Sequence, residues 1–416
     1  VLKTKVLAVF GYNNSRIYDL NNIRKLAHEK CGAEILLIKE DIVDADRAAS
    51  QFCFDHAPDD ARMAKALKNF LSNNNLELVG CLPFSDKGVI GAAHVANELG
   101  LVGDDAPTSF AMLDKMQFRV LEQSITIDSE LYKKPFFFTA YTNSEIKNLF
   151  EAKGSLFIKP RAEGNSRGCM KIENVEQLDE WLVENKSFIV NGVICEEVLS
   201  DSNEYSYDGV SGSYWITQKF TTSGSYRAEY QHIMPAPLSS DVSVKLHKIF
   251  RPLLSELGSR GGAFHHEFFK LSDGRFASVE PNRRPAGMWI WDLASWAFRD
   301  FNPWIQWIDH CSGAVINEKE LVTQSFAGVR GIISKKSGTL KSIDEQEIAL
   351  LINQEFGKEN VRISFLKKVN AQVRDIPRDN SDFLAFIAIK NPDYNLLCKS
   401  LEQAEAIFLK NCEISA

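Results

Sequence analysis

The chain has eight cysteines, and none of them stand as a CxxC pair: Cys31, Cys53, Cys81, Cys169, Cys195, Cys311, Cys398 and Cys412 are scattered. In a chain of 416 residues this pattern reads as reduced, mostly buried thiols rather than a disulfide framework or a zinc site. No apolar run approaches the roughly 20 residues that span a bilayer. No GxGxxG turn follows a strand, so nicotinamide or flavin binding has little support, and GxxxxGK[ST] is absent. Low-complexity tracts, internal repeats and a Ser-His or Cys-His signature are also missing. A net charge of −7 without a basic stripe argues against a nucleic-acid partner. Residues 1–10 are short, carry lysines and enter strand-like sequence directly, which is not the build of a signal peptide. The expectation is a cytoplasmic protein with neither nucleic acid nor membrane as partner; its oligomeric state stays open, a homodimer included.

What is present is an ordinary globular composition, 44% hydrophobic and 25% charged, in a chain long enough for two to four packed domains. Residues 5–10 (KVLAVF), 34–38 (EILLI) and 76–82 (LELVGCL) are apolar runs, alternating with helical spacing over 17–30, 60–71 and 89–99. Strands and helices alternating in this way predict parallel strands with helical crossovers, an open α/β domain. From Thr108 the texture changes. A helix over 108–123 is expected, then strand-like runs at 155–159, 169–172, 193–198, 204–210 and 214–220 separated by turn residues. A helix over 242–257 precedes strands at 263–270 and 275–280, joined by the turn Ser272-Asp273-Gly274. This order predicts antiparallel sheets in an α+β arrangement, followed by a small C-terminal element with short strands and a helix over 401–409. The domain expectation is 1–107, 108–195, 196–327 and 328–416.

Three constellations carry chemistry. The hairpin at 263–280 sets Glu267 beside Glu280, because facing residues on neighbouring antiparallel strands lie about 5 Å apart. Paired carboxylates repel, and a hard divalent cation such as Mg²⁺ relieves them. Asn282 offers a third oxygen on the same face, and Arg284, two residues on, a planar fork for phosphate or carboxylate. The alternative is a solvated polar hairpin. The second constellation is Phe157-Ile158-Lys159-Pro160 with the loop that follows, including Gly164, Ser166 and Gly168. A lysine ending an apolar strand before a Gly/Ser/Asn loop can handle phosphates, although such a loop is also an ordinary turn. Third, the stretch 193–199 (VICEEVL) ends in Glu196-Glu197-Val198-Leu199, and Glu204 follows. This strand end could read a base edge through its main chain and ribose through Glu204, or merely be acidic.

In this order the elements resemble the ATP-grasp superfamily, and within it the carboxylate–amine ligases: Asp114-Lys115 with Arg119, the Lys159 strand and glycine loop, Glu196 to Leu199 with Glu204, and His265-His266-Glu267 with Glu280 to Arg284. They cover about residues 108 to 290. The resemblance implies an α/β N-terminal domain, an α+β ATP-grasp domain and a small C-terminal α+β element. It also implies ATP and Mg²⁺. Lys115, Lys159 and the Gly164–Gly168 loop with Ser166 would meet phosphates; Glu196 and the backbone of Glu197, Val198 and Leu199 adenine; Glu204 ribose. Glu267, Glu280 and Asn282 would hold the metal, and Arg284 the transferred phosphate or substrate carboxylate.

Within the superfamily the chain resembles bacterial L-amino-acid ligases, which make dipeptides, through Glu229, His232 and the proline that follows at 235. That resemblance implies that Glu229 meets a substrate amine, that His232 lies near the reacting carboxylate, and that Gly287 and Met288 line the pocket beside Arg284. Lys159, Arg284 and His232 would be the catalytic residues. A packed structural histidine is the alternative for His232, and core packing the alternative for Trp289 and Trp291 as pocket walls. The implied partners are a small carboxylate and an amino acid. Two further functions stay open, a carboxylase that activates bicarbonate and a non-catalytic nucleotide-binding protein.

Overall fold

The computed structural model describes residues 2–13, 16–56, 62–164, 167–199, 203–223, 226–316 and 320–415. Among these residues the strands form four sheets. The first is parallel, in the order Phe52–Asp55, Glu34–Lys39, Thr4–Phe10, Leu76–Pro83. Its central strand is fully buried from Val6 to Phe10, as the unbroken apolar run requires of a strand covered by helices on both faces. The crossover helix Ile17–Cys31 and the helix Asp86–Leu99, which follows the last parallel strand, end where Gly32 (φ 59°) and Gly100 (φ 67°) take the left-handed turn that closes a helix. The expected helix over 60–71 is Met63–Asn73. A short helix, Asp44–Ala49, and the edge strand Phe52–Asp55 complete this layer, and the periodicity had marked neither.

The expected helix over 108–123 is split. Asp114 stops a 3-10 turn, Ser109–Met112, and starts the helix Lys115–Ser124 by accepting the backbone N–H groups of Met116 and Gln117. A small antiparallel sheet follows, ordered Phe137–Ala140, Val193–Glu196, Leu156–Pro160, Met170–Ile172.

The third sheet is the body of the molecule. Its order is Phe276–Asn282, Phe264–Lys270, Asn203–Val210, Ser213–Thr221, Glu229–Met234, Phe326–Gly331, Ala385–Asn391, Val361–Phe365, antiparallel throughout. The helix Ser240–Glu256 packs on one face, where Phe250 contacts Tyr207, Phe268 and His266. Three of the eight strands come from the tail, so the chain beyond 328 continues this sheet, and Phe326–Gly331 itself spans that position. The last helix is longer than the expected 401–409. It runs Tyr394–Lys410, begun by the Asp393 carboxylate on the Leu396 N–H, and packs on the strands Phe326–Gly331 and Ala385–Asn391 of the large sheet, with the three-stranded sheet that contains the terminal strand Cys412–Ser415 joining the same core. Among the described residues no helix is long and apolar enough to cross a membrane.

Candidate active site

The carboxyl ends of the parallel strands, where open α/β sheets bind ligands, face the large antiparallel sheet across a cleft of about 1140 Å³. Gly11, Tyr12, Ser85 and Asp86 line it from the N-terminal side. Opposite them stand the hairpin carboxylates, and their register is the expected one: Glu267 pairs directly with Glu280, just before a bulge at Phe268. Asn282 donates its amide N–H to Glu280 Oε1 (3.0 Å); it is not itself among the residues lining the cleft, and among the described residues no donor meets its carbonyl oxygen. Lys115 Nζ lies 3.1 Å from Glu280 Oε2 and donates to the Glu163 carbonyl at 2.7 Å. Burial opposes charge on Lys115, but Glu280 outweighs it and holds the ammonium above its ordinary pKa. An all-oxygen set of two opposed carboxylates and one amide, each carboxylate already in contact with a lysine ammonium, suits a hard divalent cation.

Lys159 closes the strand Leu156–Pro160 as expected, and its ammonium sits 2.6 Å from Glu196 Oε2. The other Glu196 oxygen accepts from Arg119 Nε at 2.6 Å. The Glu196 carboxylate therefore holds Lys159 and Arg119 in place, while Glu197, Val198 and Leu199 line the cleft beside it. Burial pushes the Glu196 pKa up, but Arg119 and Lys159 outweigh it and bring it to about 2. A depressed carboxylate stabilises the fold above its unfolded pKa, near 4.5, and loses that contribution as pH falls through 2, in all about 3 kcal/mol. Glu196→Gln should accordingly cost most at neutral pH, and urea unfolding at pH 7 and pH 3 should show the difference from wild type shrinking. A constant difference would assign Glu196 a packing role instead.

The two glycines of the loop differ. Gly164 lines the cleft, with Asp86 within 3.6 Å of where a Cβ would stand. Gly168 does not line it. At φ 69°, with Pro160 and Phe188 2.8 Å from a would-be Cβ, it turns the loop back into the sheet, and its carbonyl accepts from the Trp181 indole. Ser166 lies outside the described residues.

On the substrate side His232 Nε2 is 3.0 Å from Glu229 Oε2. Burial lowers the His232 pKa despite Glu229, so the ring is neutral. An ionised carboxylate can only accept, which fixes the proton on Nε2 and leaves Nδ1 with a lone pair and no partner among the described residues. Arg284 lies in the cleft but past the strand end, where the Asp86 carboxylate takes Nε (2.8 Å) and Nη2 (3.2 Å). Gly287 and Met288 line the cleft. Met288 and Trp289 are both left-handed (φ 45° and 58°), an uncommon state for non-glycine residues, and Trp289 is stacked against Arg362, which Tyr18 covers from the other side. Of the two indoles, Trp289 is a pocket wall, and Trp291 is buried core against Trp215, Trp304 and Trp307.

Four functional groups escaped the sequence reading. Asp86 begins a helix straight after a parallel strand, a position that could have marked it. Arg119 stood in a quoted motif without a role. Asp208, which holds His265 at 2.6 Å, and Lys219 offered no local signal. Lys219 Nζ contacts Glu267 (2.5 Å), Glu229 (2.6 Å) and Glu204 (3.4 Å). Glu204 is worst served: burial, with Glu229 and Glu267 beside it, raises its pKa to about 7 against Lys219, whereas Glu267 stays at about 2 despite burial, through Lys219 and His265.

No protein-family model matches the chain. A D-alanine–D-alanine ligase of Actinobacillus pleuropneumoniae serotype 5b is 28% identical over 211 residues, which are 48% of this chain and 67% of that one. The crystal structure of an L-amino acid ligase from Bacillus licheniformis superposes with a TM-score of 0.77 at 18% identity, over 100% of this chain and 99% of that one. The biotin carboxylase domain of a 2-oxoglutarate carboxylase from Hydrogenobacter thermophilus, solved with MgADP and bicarbonate, gives 0.66 at 14% identity, over 100% and 91%. At these identities the solved structures share the fold with this chain.

Proposed function

We infer, for a chain that has the fold of the ATP-grasp ligases, an ATP- and Mg²⁺-dependent reaction joining a carboxylate to the amine of an amino acid, with a dipeptide or dipeptide-like compound, such as an antibiotic precursor, as product. The observation that carries this reading is the joining of two acids on one ammonium: Lys219 ties Glu267 of the metal-binding pair to Glu229 of the Glu229–His232 pair. A nucleotide end and an amine end thereby share one cleft.

The proposed chemistry has two steps. The carboxylate oxygen of the first substrate attacks the γ-phosphorus of ATP, the bond to the β,γ-bridging oxygen breaks, and ADP leaves. Lys115 and Lys159 neutralise charge on the phosphates. Glu267, Glu280 and Asn282 would hold Mg²⁺, which supplies charge neutralisation on the phosphate oxygens. The amine nitrogen of the second substrate then attacks the acyl carbon, and inorganic phosphate departs with the broken C–O bond. The proton lost by nitrogen passes to the hydrogen-bonded Glu229–His232 pair, which lines the cleft. Arg284 supports the acyl oxygen or phosphate, positioned by Asp86. The Glu163–Gly164 loop, tied to Lys115, shields the acyl phosphate from water.

The test is a mass-spectrometric screen of pairwise amino-acid and small-acid mixtures with ATP and Mg²⁺. It should yield a condensation product in step with ADP. ADP release that responds to bicarbonate and to no amino acid would replace this reading with a carboxylase.

A further inference from the structure

The sequence assigns no role to Lys219, yet it is the group on which the two ends of the cleft meet. Its side chain is fully buried under the cleft floor, on the strand Ser213–Thr221. An ammonium has three N–H donors. Three carboxylates, each from a different strand, surround this one: Glu204 on Asn203–Val210, Glu229 on Glu229–Met234 and Glu267 on Phe264–Lys270. Oxygens of the three come within 4.8 Å of one another, a spacing a cation could fill, and the Lys219 ammonium fills it.

The network continues on both sides. Glu267 Oε1 also accepts from His265 Nε2 at 3.0 Å, and His265 is held by Asp208, which accepts from Ser206 and Thr217. Glu229 continues to His232. A run of hydrogen bonds thus reaches from the metal-binding hairpin to the substrate histidine, and Lys219 is its only link between Glu267 and Glu229 among the described residues.

We propose that Lys219 couples the metal end of the cleft to the substrate end: it shares Glu267 with the divalent cation and gives its hold over to Glu229 and Glu204 when that cation binds. The proposal rests on the reading of Glu267 as a metal ligand. Two cations on one carboxylate repel, and the ammonium is the one with other acceptors in reach. Metal binding would then tighten Lys219 on Glu229 and fix the acid that orients His232. Lys219 is in this sense a positioning residue.

The sign of the effect separates this from a structural role. In Lys219→Met, Glu267 has lost its competing cation, so Mn²⁺ binding in the presence of ADP, read by electron paramagnetic resonance, should tighten about tenfold, while Lys219→Arg keeps the charge and should stay within about twofold of wild type. Unchanged or weaker Mn²⁺ binding in a folded Lys219→Met protein overturns the proposal. Should the methionine variant not fold, a crystal structure of the wild type with Mg²⁺ and ADP decides. Lys219 is expected to have left Glu267 and kept Glu229, and an intact Lys219–Glu267 contact beside the metal overturns it. A wild-type protein that binds ADP but no Mn²⁺ removes the metal reading, and the Lys219 proposal with it; normal wild-type binding with no change in Lys219→Met removes the second alone.

Discussion

Glu280→Gln is expected to lower ADP formation about 10³-fold, the several kcal/mol of charge stabilisation that a bound metal supplies to phosphoryl transfer. Glutamine keeps the shape and can still accept from Lys115, but it brings no charge to the pair with Glu267. What Lys115 loses in attraction is partly offset by its bond to the Glu163 carbonyl. The expected cost in stability is therefore about 1 kcal/mol, a thermal midpoint lower by about 1 °C for a chain of this length. ADP binding in EDTA should stay close to wild type, because the phosphate lysines and the Glu197–Leu199 strand end are untouched. A coupled assay for ADP and a thermal melt are sufficient. Turnover within about threefold of wild type would sink the assignment of the hairpin as the metal site.

That hairpin was legible in the sequence for a physical reason. The turn Ser272-Asp273-Gly274 is short, Gly274 takes φ 87°, and Leu271 and Arg275 close it, so the count from the turn sets the two strands side by side with Phe268 opposite Ser278. That count alone would face Glu267 with Val279; the bulge between Glu267 and Phe268, which no local signal marked, shifts the register by one and brings Glu280 directly across. The same period-two count failed at Arg284. The strand ends at Asn282, and the guanidinium is aimed by Asp86, 198 residues away and in another layer of the fold. No local pattern contains that partner.

Lys219 shows the same limit more sharply. A lysine in a strand reads as solvated unless its three acceptors are known, and Glu267 is 48 residues distant. Helix ends were legible where a cap is a side chain close in sequence, and were still missed when the apolar period masked it: Asp393 starts the last helix seven residues before the periodic run suggested. Left-handed Met288 and Trp289 carry no glycine signal at all. Trp289 packs against Arg362 and Phe386, and Arg362 in turn against Tyr18, partners that lie far away in the chain.

Arg119→Met is expected to destabilise the protein by about 3–5 kcal/mol, the range for removing one partner from a buried ion pair. The guanidinium is 1% exposed and uses its whole fork: Nε on Glu196 (2.6 Å), Nη1 on Glu122 (2.8 Å) and Nη2 on the Ser278 carbonyl (2.9 Å). Burial alone would lower its pKa, but Glu122 and Glu196 outweigh burial and hold it above the ordinary arginine value. Methionine fills the volume and leaves two buried carboxylates and a carbonyl short of a donor. Glu122 would keep the Tyr132 hydroxyl, and Glu196 would keep Lys159. The second of these matters for function, because Glu196 would then draw the Lys159 ammonium more strongly away from the phosphates, and the KM for ATP should rise. Arg119→Lys should recover little, since a compact ammonium cannot span three acceptors arranged for a planar fork. Removing the stranded charge should recover more: Arg119→Met with Glu122→Gln is expected to be at least about 1 kcal/mol more stable than the sum of the single changes predicts. Urea unfolding of the four proteins measures each of these terms. Additive losses would mean that Arg119 and Glu122 act independently, and a loss below about 1 kcal/mol for Arg119→Met would mean that the fold does not depend on this buried pair.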